Sequence, residues 1–271
     1  MAELVEVDGA EDPRLGDFAA LTDAALRKRY EHQHGVLIAE GPNPVRELVT
    51  SAYPVRSLLV ARERLDDLTD VLAAVDAPAY VVDRPVLETV VRFRLHQGVL
   101  ACGERLPPAD LDQVLVTARR VAVLEGLNDH ENLGALFRSA RALGIDAVIL
   151  GPGCADPLYR RSIRVSMGHV LHVAQAWCRD LDHLFDRLAA HGFTTLALTP
   201  DPAADRLDGD VEVANEDRLA VLLGAEGPGL STEALGRADR WGRIDLADAV
   251  DSLNVAAAAA IAFHQLGRRC G

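Results

Sequence analysis

The sequence predicts an α/β protein in which a small N-terminal α/β domain precedes a larger C-terminal domain with a parallel sheet. Two observations carry this prediction. Apolar strand-like segments alternate with helix-like segments along nearly the whole chain of 271 residues. In the second half the strands are almost continuously apolar, as in AVLLG at residues 220–224, which is typical of parallel strands covered on both faces. The hydrophobic content of 49% is enough to bury a substantial core.

The N-terminal domain is predicted over residues 1–106. Residues 1–15 are acidic and without periodicity, which predicts a loose arm. Beyond them the pattern alternates between four helices and four short strands, a pace that indicates a compact α/β unit. The helices are predicted at 18–30, 45–51, 65–74 and 85–91, and the strands at 36–40, 57–61, 79–83 and 99–103.

A linker is predicted at residues 107–118, where Pro107 and Pro108 interrupt regular pairing. The C-terminal domain then covers residues 119–271. Its predicted strands lie at 121–127, 147–153, 170–176, 194–200, 219–224 and 240–246, and its predicted helices at 133–143, 157–165, 181–191 and 252–266. The last of these helices is rich in alanine, which permits close packing against a neighbour.

Charge and composition exclude several classes of protein. A formal net charge of −13 argues against non-specific coating of nucleic acid, although local basic patches remain possible binding faces. Without a leader-like or membrane-spanning apolar run, we expect a cytoplasmic protein with no membrane partner. The four cysteines form no C-x-x-C pair, so we expect reduced thiols and no metal site. The candidate patches are Arg27, Lys28 and Arg29; Arg92, Arg94 and His96; and Arg160, Arg161 and Arg164.

The first candidate site segment is NDHENLGALFRSARALG, residues 128–144. Asn128 follows a strand and can hold the turn, Asn132 can cap the following helix, and Gly134 allows a close backbone approach. Arg138 lies one helical turn beyond Gly134, so Asn132 and Arg138 can face one cleft. The alternative interpretation of this segment is a capped helix with an arginine on its surface.

The second segment is LLGAEGPGLS, residues 222–231. Its glycines are not spaced as G-x-G-x-x-G and the Walker lysine is absent, so a phosphate cradle is not expected. Glycines here allow backbone groups to meet an adenine or a ribose, while Glu226 is favoured at a helix start by the macrodipole. A plain tight turn remains the alternative.

The third segment is DSLNVAAAAAIAFHQL, residues 251–266. Ser252 suits an N-cap and Asn254 would sit in the first helical turn, beside free backbone donors. A capped core helix accounts for the serine and the alanines. It does not account for Leu253 and Asn254.

Together, NLGALFRSA, GAEGPGL and SLNVAAA, in this order, resemble the three motifs of the SpoU (TrmH-type) RNA ribose 2′-O-methyltransferases. The resemblance implies a SPOUT methyltransferase domain with a C-terminal trefoil knot, preceded by an L30e-like RNA-binding domain. It implies S-adenosylmethionine as cofactor, no metal, RNA as substrate and a homodimer formed through the knotted domain. Ribosomal RNA is preferred over tRNA because the N-terminal region resembles a ribosomal RNA-binding protein.

The resemblance also implies roles for individual residues. Five would form the catalytic machinery, with Arg138 as base or as positioning group: Arg138, Asn132, Glu226, Ser252 and Asn254. Because the pKa of arginine lies above about 12, a positioning role for Arg138 stays open beside that of a base. Ten would hold the cofactor: Leu198, Thr199, Pro200, Leu223, Gly224, Ala225, Gly227, Ile244, Leu246 and Leu253.

Two departures from the family pattern keep alternatives open. Ala225 stands where an asparagine is usual, and IDLADAVD at residues 244–251 replaces an Ile-Pro-Met followed by glycine, which introduces Asp245 and Asp248 beside the expected pocket. A tRNA 2′-O-methyltransferase and a catalytically inactive RNA-binding factor with the same fold are the main alternatives. A small-molecule α/β enzyme that binds a nucleotide at the glycine loop is a third.

Overall fold

The protein is described from a computed structural model over residues 1–207, 212–247 and 252–267, without the side chains of 24–28 and 212. Four features of the sequence lie outside this description: Asp248, the last of the four cysteines, which is Cys270, and the side chains of Arg27 and Lys28. Within the described ranges, helices and strands alternate as predicted.

The helices are α1 (Ala24–His34), α2 (Pro42–Thr50), α3 (Thr69–Ala74), α4 (Arg84–Val91), α5 (Leu111–Thr117), α6 (His130–Ala142), α7 (Arg160–Val165), α8 (Leu181–Ala190), α9 (Thr232–Arg237) and α10 (Val255–Leu266). The strands are β1 (Glu3–Glu6), β2 (Val36–Glu40), β3 (Val55–Ala61), β4 (Pro78–Val82), β5 (Val99–Glu104), β6 (Arg120–Glu125), β7 (Ala147–Leu150), β8 (Ala174–Trp177), β9 (Thr194–Leu198), β10 (Asp205–Arg206), β11 (Leu219–Gly224) and β12 (Arg240–Arg243). Short 3₁₀ turns occupy Pro13–Phe18, Arg62–Arg64, Asp66–Leu68, His169–His172 and Glu212–Asn215.

The chain divides into two compact units, Met1–Pro107 with Leu158–His172, and Pro108–Pro157 with Val173–Gly271. This division differs from the expected one at two places. Part of the expected linker is helix α5, whose Val114 and Leu115 are buried in the core of the second unit. Helix α7 belongs to the first unit because Arg160 pairs with the buried carboxylate of Glu40 at the end of β2.

The first unit contains a mixed five-stranded sheet in the order β1-β4-β3-β5-β2. Strands β1, β4 and β3 run parallel, while β5 is antiparallel to β3 and β2. All five residues of β2 are buried, in agreement with the apolar run VLIA. Both faces of the sheet are buried: one core cluster surrounds Phe18, Ile38 and Leu87, and Leu37 and Leu58, which point to the opposite face, are buried as well.

The expectation of a loose arm at residues 1–15 was wrong. Strand β1 pairs in parallel with β4, with Glu3 opposite Pro78 and Glu6 opposite Val81. The 3₁₀ turn Pro13–Phe18 is capped by the side chain of Asp12 and buries Leu15 and Phe18. Charged residues in β1 suit an edge strand. Because β1 is charged and pairs with a strand 75 positions away along the chain, the local sequence pattern did not predict it.

The second unit contains a seven-stranded sheet in the order β10-β12-β9-β11-β6-β7-β8, and every strand pair in it is parallel. Its strands β6, β7 and β11 are buried along almost their full length. The parallel sheet predicted for the C-terminal domain is therefore confirmed. Because all strands point the same way, their carboxyl ends meet at one edge, where ligands bind in open α/β sheets.

Helices cover both faces of this sheet. One core cluster joins β6, β7 and β11 to α5 and α8 through residues such as Val123, Leu184 and Leu222. The opposite face carries α6 and α10, and Ala259, Ala262 and Phe263 of α10 are buried. Small alanine side chains allow α10 to lie close to α6, as the composition of that segment predicts.

Several predicted elements are shorter than expected, among them the strand at 240–246, which ends at Arg243, and the helix at 252–266, which begins at Val255. The strand expected at 170–176 is limited to Ala174–Trp177, because His169–His172 forms a 3₁₀ turn after Met167 and Gly168, which both have positive φ. The helix expected at 157–165 begins only at Arg160. Cys102, Cys154 and Cys178 form no disulfide in the described part of the chain, and burial raises the pKa of the Cys154 thiol. No helix in the described ranges combines the length and apolarity that crossing a bilayer requires.

Candidate active site

A cavity of about 440 Å³ opens at the carboxyl edge of the second unit's sheet, where β9, β11 and β12 end. It is lined by segments that are far apart in sequence and meet only in the folded chain. These are Leu198, Thr199 and Pro200; Leu223, Gly224, Ala225, Glu226, Gly227 and Gly229; Ile244 and Leu246; and Ser252, Leu253, Asn254, Val255 and Ala258. All ten residues expected to contact a cofactor are among them.

The glycine loop forms one side of the cavity by folding back on the end of β11. The backbone N–H of Gly229 donates to the carbonyl of Ala225 at 3.0 Å, which closes the loop. A side chain at Gly224 would lie 2.2 Å from the backbone of Gly229 and Leu230, so only glycine fits there. Gly227 and Gly229 have φ values of 88° and 72°, which glycine adopts without strain. Backbone groups, rather than side chains, therefore form this wall.

Asn254 is the N-cap of α10 and connects the motifs. Its Oδ1 accepts hydrogen bonds from the backbone N–H groups of Ala256 and Ala257. That role fixes the orientation of the amide, so Nδ2 must point away from the helix as a donor. Nδ2 then donates to Oε1 of Glu226 at 2.7 Å and to Oδ1 of Asn132 at 2.8 Å. The expected cap Ser252 lies two residues earlier and lines the cavity instead.

Glu226 lies at the start of a helix, but not of the one that follows it in sequence. Helix α9 begins at Thr232 and is capped by Ser231. The carboxylate of Glu226 instead faces the first turn of α10, where Oε1 also accepts a hydrogen bond of 3.4 Å from the backbone of Val255. The positive end of the α10 dipole favours a carboxylate at this point. The dipole of a helix therefore favours Glu226 as expected, but the helix is α10 rather than α9.

Asn132 does not cap α6, contrary to the sequence interpretation. The cap is Asp129, whose Oδ1 accepts from the backbone N–H groups of Glu131 and Asn132, both at 2.9 Å. Asn132 is therefore free to use its side chain within the site. Because its Oδ1 accepts from Asn254, its own amide hydrogens are oriented away from that contact and remain available as donors.

Arg138 is not among the residues that line the cavity. It is exposed on α6, and its guanidinium makes no hydrogen bond or ion pair with any residue in the described part of the chain. Six residues along a helix correspond to a rotation of about 600°, which puts Arg138 about 120° around α6 from Asn132. The expectation that both side chains face one cleft within this chain is not met.

Asp245 is neutralised beside the cavity rather than within it. Its neighbours Ile244 and Leu246 line the cavity, whereas the carboxylate of Asp245 is held by Arg243 at 2.6 Å and by Arg206. The ion pairs tie the segment after β12 to β10, which is its neighbour in the sheet. The apolar wall formed by Ile244 and Leu246 is therefore anchored by this aspartate.

Several residues of the site were not identified from the sequence. Val255 and Ala258 line the cavity from the first turn of α10, in positions one helical turn apart. Glu125, at the end of β6, accepts a hydrogen bond of 2.9 Å from the backbone of Ser231 and so holds the far end of the glycine loop. A carboxylate at the end of a buried strand was the available signal for Glu125. Among the described residues, no group of three or more potential metal ligands is arranged to bind an ion.

Comparison with known families gives a consistent result. Residues 119–264 match the SpoU rRNA Methylase family, and residues 38–109 match a domain described as RNA 2′-O ribose methyltransferase substrate binding. The resemblance drawn from the three sequence motifs is confirmed.

Relatives and solved structures agree with this match. Proteins of Mycobacterium bovis and Mycobacterium tuberculosis, each named as an uncharacterised tRNA/rRNA methyltransferase, are 44% identical over 266 residues, or 98% of this chain and 92% of theirs. An AdoMet-bound rRNA methyltransferase from Sinorhizobium meliloti has a TM-score of 0.81 at 24% identity over 97% of both chains. The SpoU methyltransferase AviRb from Streptomyces viridochromogenes, in complex with AdoMet, has a TM-score of 0.79 at 24% identity, over 94% of this chain and 97% of that one. At this level of identity the two structures establish a shared fold.

Proposed function

Because this chain belongs to the SpoU rRNA methylase family, we propose that it transfers the methyl group of S-adenosylmethionine to a ribose 2′-hydroxyl of ribosomal RNA. Family membership gives the class of activity, RNA methyl transfer. The methyl donor, the ribose oxygen and the ribosomal target are the content of the proposal. One observation carries it: Asn132, Glu226 and Asn254, from three distant segments, are joined by hydrogen bonds beside a single cavity.

The cavity suits S-adenosylmethionine in size and chemistry. Its volume of about 440 Å³ lies within the range of small-molecule sites. Leucine and isoleucine side chains offer apolar walls for an adenine ring, and the glycine loop offers backbone donors and acceptors. The carboxylate of Glu226 lines the same space and complements a cationic ligand. The residues that would hold the cofactor are Leu198, Thr199, Pro200, Leu223, Gly224, Ala225, Gly227, Ile244, Leu246 and Leu253.

When bound, S-adenosylmethionine supplies a methyl group activated by its sulfonium. The chain's own residues then have to orient the RNA, while the hydroxyl proton passes to solvent water as the ribose oxygen forms its bond to the methyl group. We assign Asn132 to the ribose, since its amide hydrogens remain available after its bond to Asn254. We assign Glu226, Ser252 and Asn254 to holding the shape of the loop and the start of α10.

We assign Arg138 to positioning of the RNA. Its guanidinium is exposed and has no partner among the described residues, so it can form the paired hydrogen bonds that arginine makes to a phosphate. An arginine with a pKa above about 12 is a poor base for a hydroxyl proton. Bidentate contact with an RNA phosphate would orient the ribose for attack without deprotonation of the arginine.

The architecture proposed from the family goes further than the match itself. We propose that the methyltransferase domain over residues 119–271 carries the trefoil knot and pairs with a second copy through α10, on which Ala257 and Ile261 are exposed. We propose that the domain over residues 1–106 is L30e-like and binds the RNA substrate, in line with the substrate-binding match at residues 38–109. An RNA substrate of this kind implies action in the cytoplasm.

The alternatives differ in substrate and in turnover. A tRNA 2′-O-methyltransferase would use the same cavity with another RNA. A catalytically inactive RNA-binding factor was suggested by Ala225 and Asp245. Ala225 contributes to the loop through its backbone carbonyl, and the Asp245 carboxylate is paired with two arginines, so neither residue gives a reason for loss of cofactor binding.

Two measurements on the purified protein test the proposal. Calorimetric titration with S-adenosylmethionine should show saturable binding, and Leu253→Asp, which puts a charge on the apolar wall, should abolish it. Transfer of a radioactive methyl group should be seen with ribosomal RNA from cells that lack the gene, and not with their tRNA. Absence of cofactor binding would favour the RNA-binding factor, whereas transfer to tRNA alone would favour the tRNA enzyme.

A further inference from the structure

We propose that the turn between α4 and β5, residues 92–97, binds the phosphate backbone of the RNA substrate through Arg92 and Arg94, with His96 beside them. This inference rests on the proposed function and assigns a binding element within the first unit. The protein's net charge of −13 repels RNA as a whole, so affinity for phosphates must come from a local group of cations.

Most arginines of the first unit are already committed to carboxylates. Arg46 pairs with Asp70 at 2.6 Å, and Arg62 pairs with both Glu6 and Asp83. The arginines of this unit with such partners are Arg14, Arg46, Arg56, Arg62, Arg64, Arg84, Arg105, Arg160 and Arg164. An arginine held in this way loses its carboxylate contact if it binds a phosphate.

Arg92 and Arg94 are different. Both are exposed, and within the described ranges neither guanidinium takes part in an ion pair or a hydrogen bond. Glu88, one helical turn before Arg92, forms no ion pair with it in the described structure. Arg29 on α1 shares this property. Arg92 and Arg94, however, stand two residues apart on one turn, together with the exposed ring of His96.

The turn directs its side chains alternately inward and outward. Leu95 is buried in the core of the first unit, and Phe93 packs against that core with the guanidinium of Arg160 5.1 Å from its ring centre. The residues between them, Arg92, Arg94 and His96, are exposed. Two apolar anchors therefore present three polar groups on one side, which is an arrangement suited to a polyanion.

Backbone contacts hold the turn in place. Arg84 donates to the carbonyl of Leu95 at 2.8 Å, and the N–H of Gly98 donates to the same carbonyl at 3.2 Å. The carbonyl of Gly98 accepts from Ala61 at 2.9 Å, which ties the turn to β3. A cation on a fixed backbone loses less conformational freedom when it binds, so it contributes more to affinity.

Arg92 itself adopts a left-handed conformation, with φ at 63°. A residue other than glycine is disfavoured in this region by about 1 kcal/mol. Glycine would relieve that strain but would remove the guanidinium. Arg92 is the C-cap of α4, where its backbone N–H donates to the carbonyl of Glu88 at 2.9 Å, so the end of the helix fixes the backbone that carries the guanidinium.

The test is the salt dependence of RNA binding, measured by fluorescence anisotropy with a fluorescein-labelled RNA hairpin. Log affinity falls as log salt rises, and each lost phosphate contact makes this slope shallower by about 0.7 to 0.9. The double variant Arg92→Gln with Arg94→Gln should thus make the slope shallower by about 1.4 to 1.8. Between about 50 and 200 mM salt, the wild type should lose roughly tenfold more affinity than this variant.

Matched variants separate this effect from a general loss of charge. The pair Arg46→Gln with Arg62→Gln removes the same charge from the same unit, but from arginines that carboxylates already hold, so the wild-type slope should be kept. Arg94→Gln alone leaves the left-handed backbone of Arg92 untouched and should lower the slope by about 0.7 to 0.9. The pair Arg92→Lys with Arg94→Lys keeps both charges and should keep the slope.

The outcomes distinguish this inference from the proposed function. The role of residues 92–97 in binding phosphate is excluded if the double glutamine variant keeps the wild-type slope, or if the control pair makes the slope equally shallow. If the wild type still methylates RNA in that case, the proposed function stands. If binding depends on Arg92 and Arg94 as described but no methyl group is transferred to any RNA, the proposed function is overturned and the turn stands.

Discussion

The amide nitrogen of Asn254 lies 2.7 Å from the carboxylate of Glu226, although 28 residues separate them in the sequence. The bond joins the glycine loop to the first turn of α10, and a second bond from the same nitrogen reaches Asn132 on α6. One asparagine thus caps a helix and fixes two polar side chains of the proposed active site.

Replacement of Asn254 by alanine should affect both stability and activity. Loss of the cap should lower the free energy of unfolding by about 1 to 2 kcal/mol. Because Glu226 and Asn132 would also lose their common donor, methyl transfer should fall by about a hundredfold. Chemical denaturation and methyl transfer to ribosomal RNA measure the two effects.

The control for Asn254→Ala is Asp180→Ala, which removes the N-cap of α8, a bond of 3.0 Å to His183, outside the cavity. It should lose similar stability and keep its activity. Equal losses of activity in both variants would show that Asn254 acts through stability alone.

Replacement of Arg138 should leave the fold unchanged and impair catalysis. Its side chain is exposed and unpaired within the described structure, so Arg138→Ala should change the free energy of unfolding by less than about 0.5 kcal/mol. The affinity for S-adenosylmethionine should also be unchanged, while kcat on the RNA substrate falls by at least about a hundredfold. Calorimetry and single-turnover transfer measure the two separately.

Arg138→Lys distinguishes how Arg138 acts. A lysine keeps the charge but cannot form the forked pair of bonds, so it should recover little of the lost rate. Full turnover in Arg138→Ala would remove this residue from the mechanism.

Asp245 is expected to support the cofactor pocket at a distance. In Asp245→Asn the ion pairs with Arg243 and Arg206 are lost, and the segment carrying Ile244 and Leu246 is released. Exposed pairs of this kind contribute at most about 1 kcal/mol, so the dissociation constant for S-adenosylmethionine should rise up to about fivefold.

For comparison, Asp182→Asn breaks the ion pair between Asp182 and Arg237, which involves no residue of the cavity lining. Its affinity for the cofactor should match that of the wild type. If both aspartate variants bind the cofactor equally well, the anchoring role of Asp245 is excluded.

The contact between α5 and α8 should depend on pH. The hydrogen bond from Arg187 lowers the pKa of the Asp112 carboxyl, and His191 acts in the same direction. A carboxyl whose pKa is lowered by folding stabilises the native state above its unfolded pKa of about 3.9, and this contribution is lost as the pH falls through the folded pKa. Asp112→Asn should therefore be less stable than the wild type at neutral pH.

Urea denaturation of both proteins across the acid range measures this difference. The two stability curves should converge as the pH falls below about 4. A difference that stays constant down to the lowest pH would mean that the Asp112 charge does not contribute.

The sequence predicted the cavity better than it predicted the local geometry around it. Strand ends are legible from apolar runs, so the segments around Leu198, Leu223 and Ile244 were expected at one edge of the sheet, where they lie. The residues that cap helices were harder to predict from the sequence. Asp129 and Asn132 both suit a cap by residue type, and only the backbone of the first turn decides between them.

Other features depend on contacts between distant parts of the chain. Strand β1 is only four residues long and is defined by its pairing with β4, which local periodicity does not reveal. The direction of Arg138 around α6 follows from the helix register, which begins at His130 rather than at Leu133 as expected. The hydrogen bond between Glu226 and Asn254 joins residues 28 positions apart, so it could be identified only from the folded structure.

The most direct test of the central claim is the position of the transferred methyl group. Ribosomal RNA from cells lacking the gene is incubated with the protein and S-adenosylmethionine that carries an isotopically labelled methyl group, then digested to nucleosides for mass spectrometry. We predict that the label appears on the ribose fragment of one nucleoside, and that it is strongly reduced with Asn254→Ala. Label on a nucleobase, or no label in RNA at all, would contradict the account.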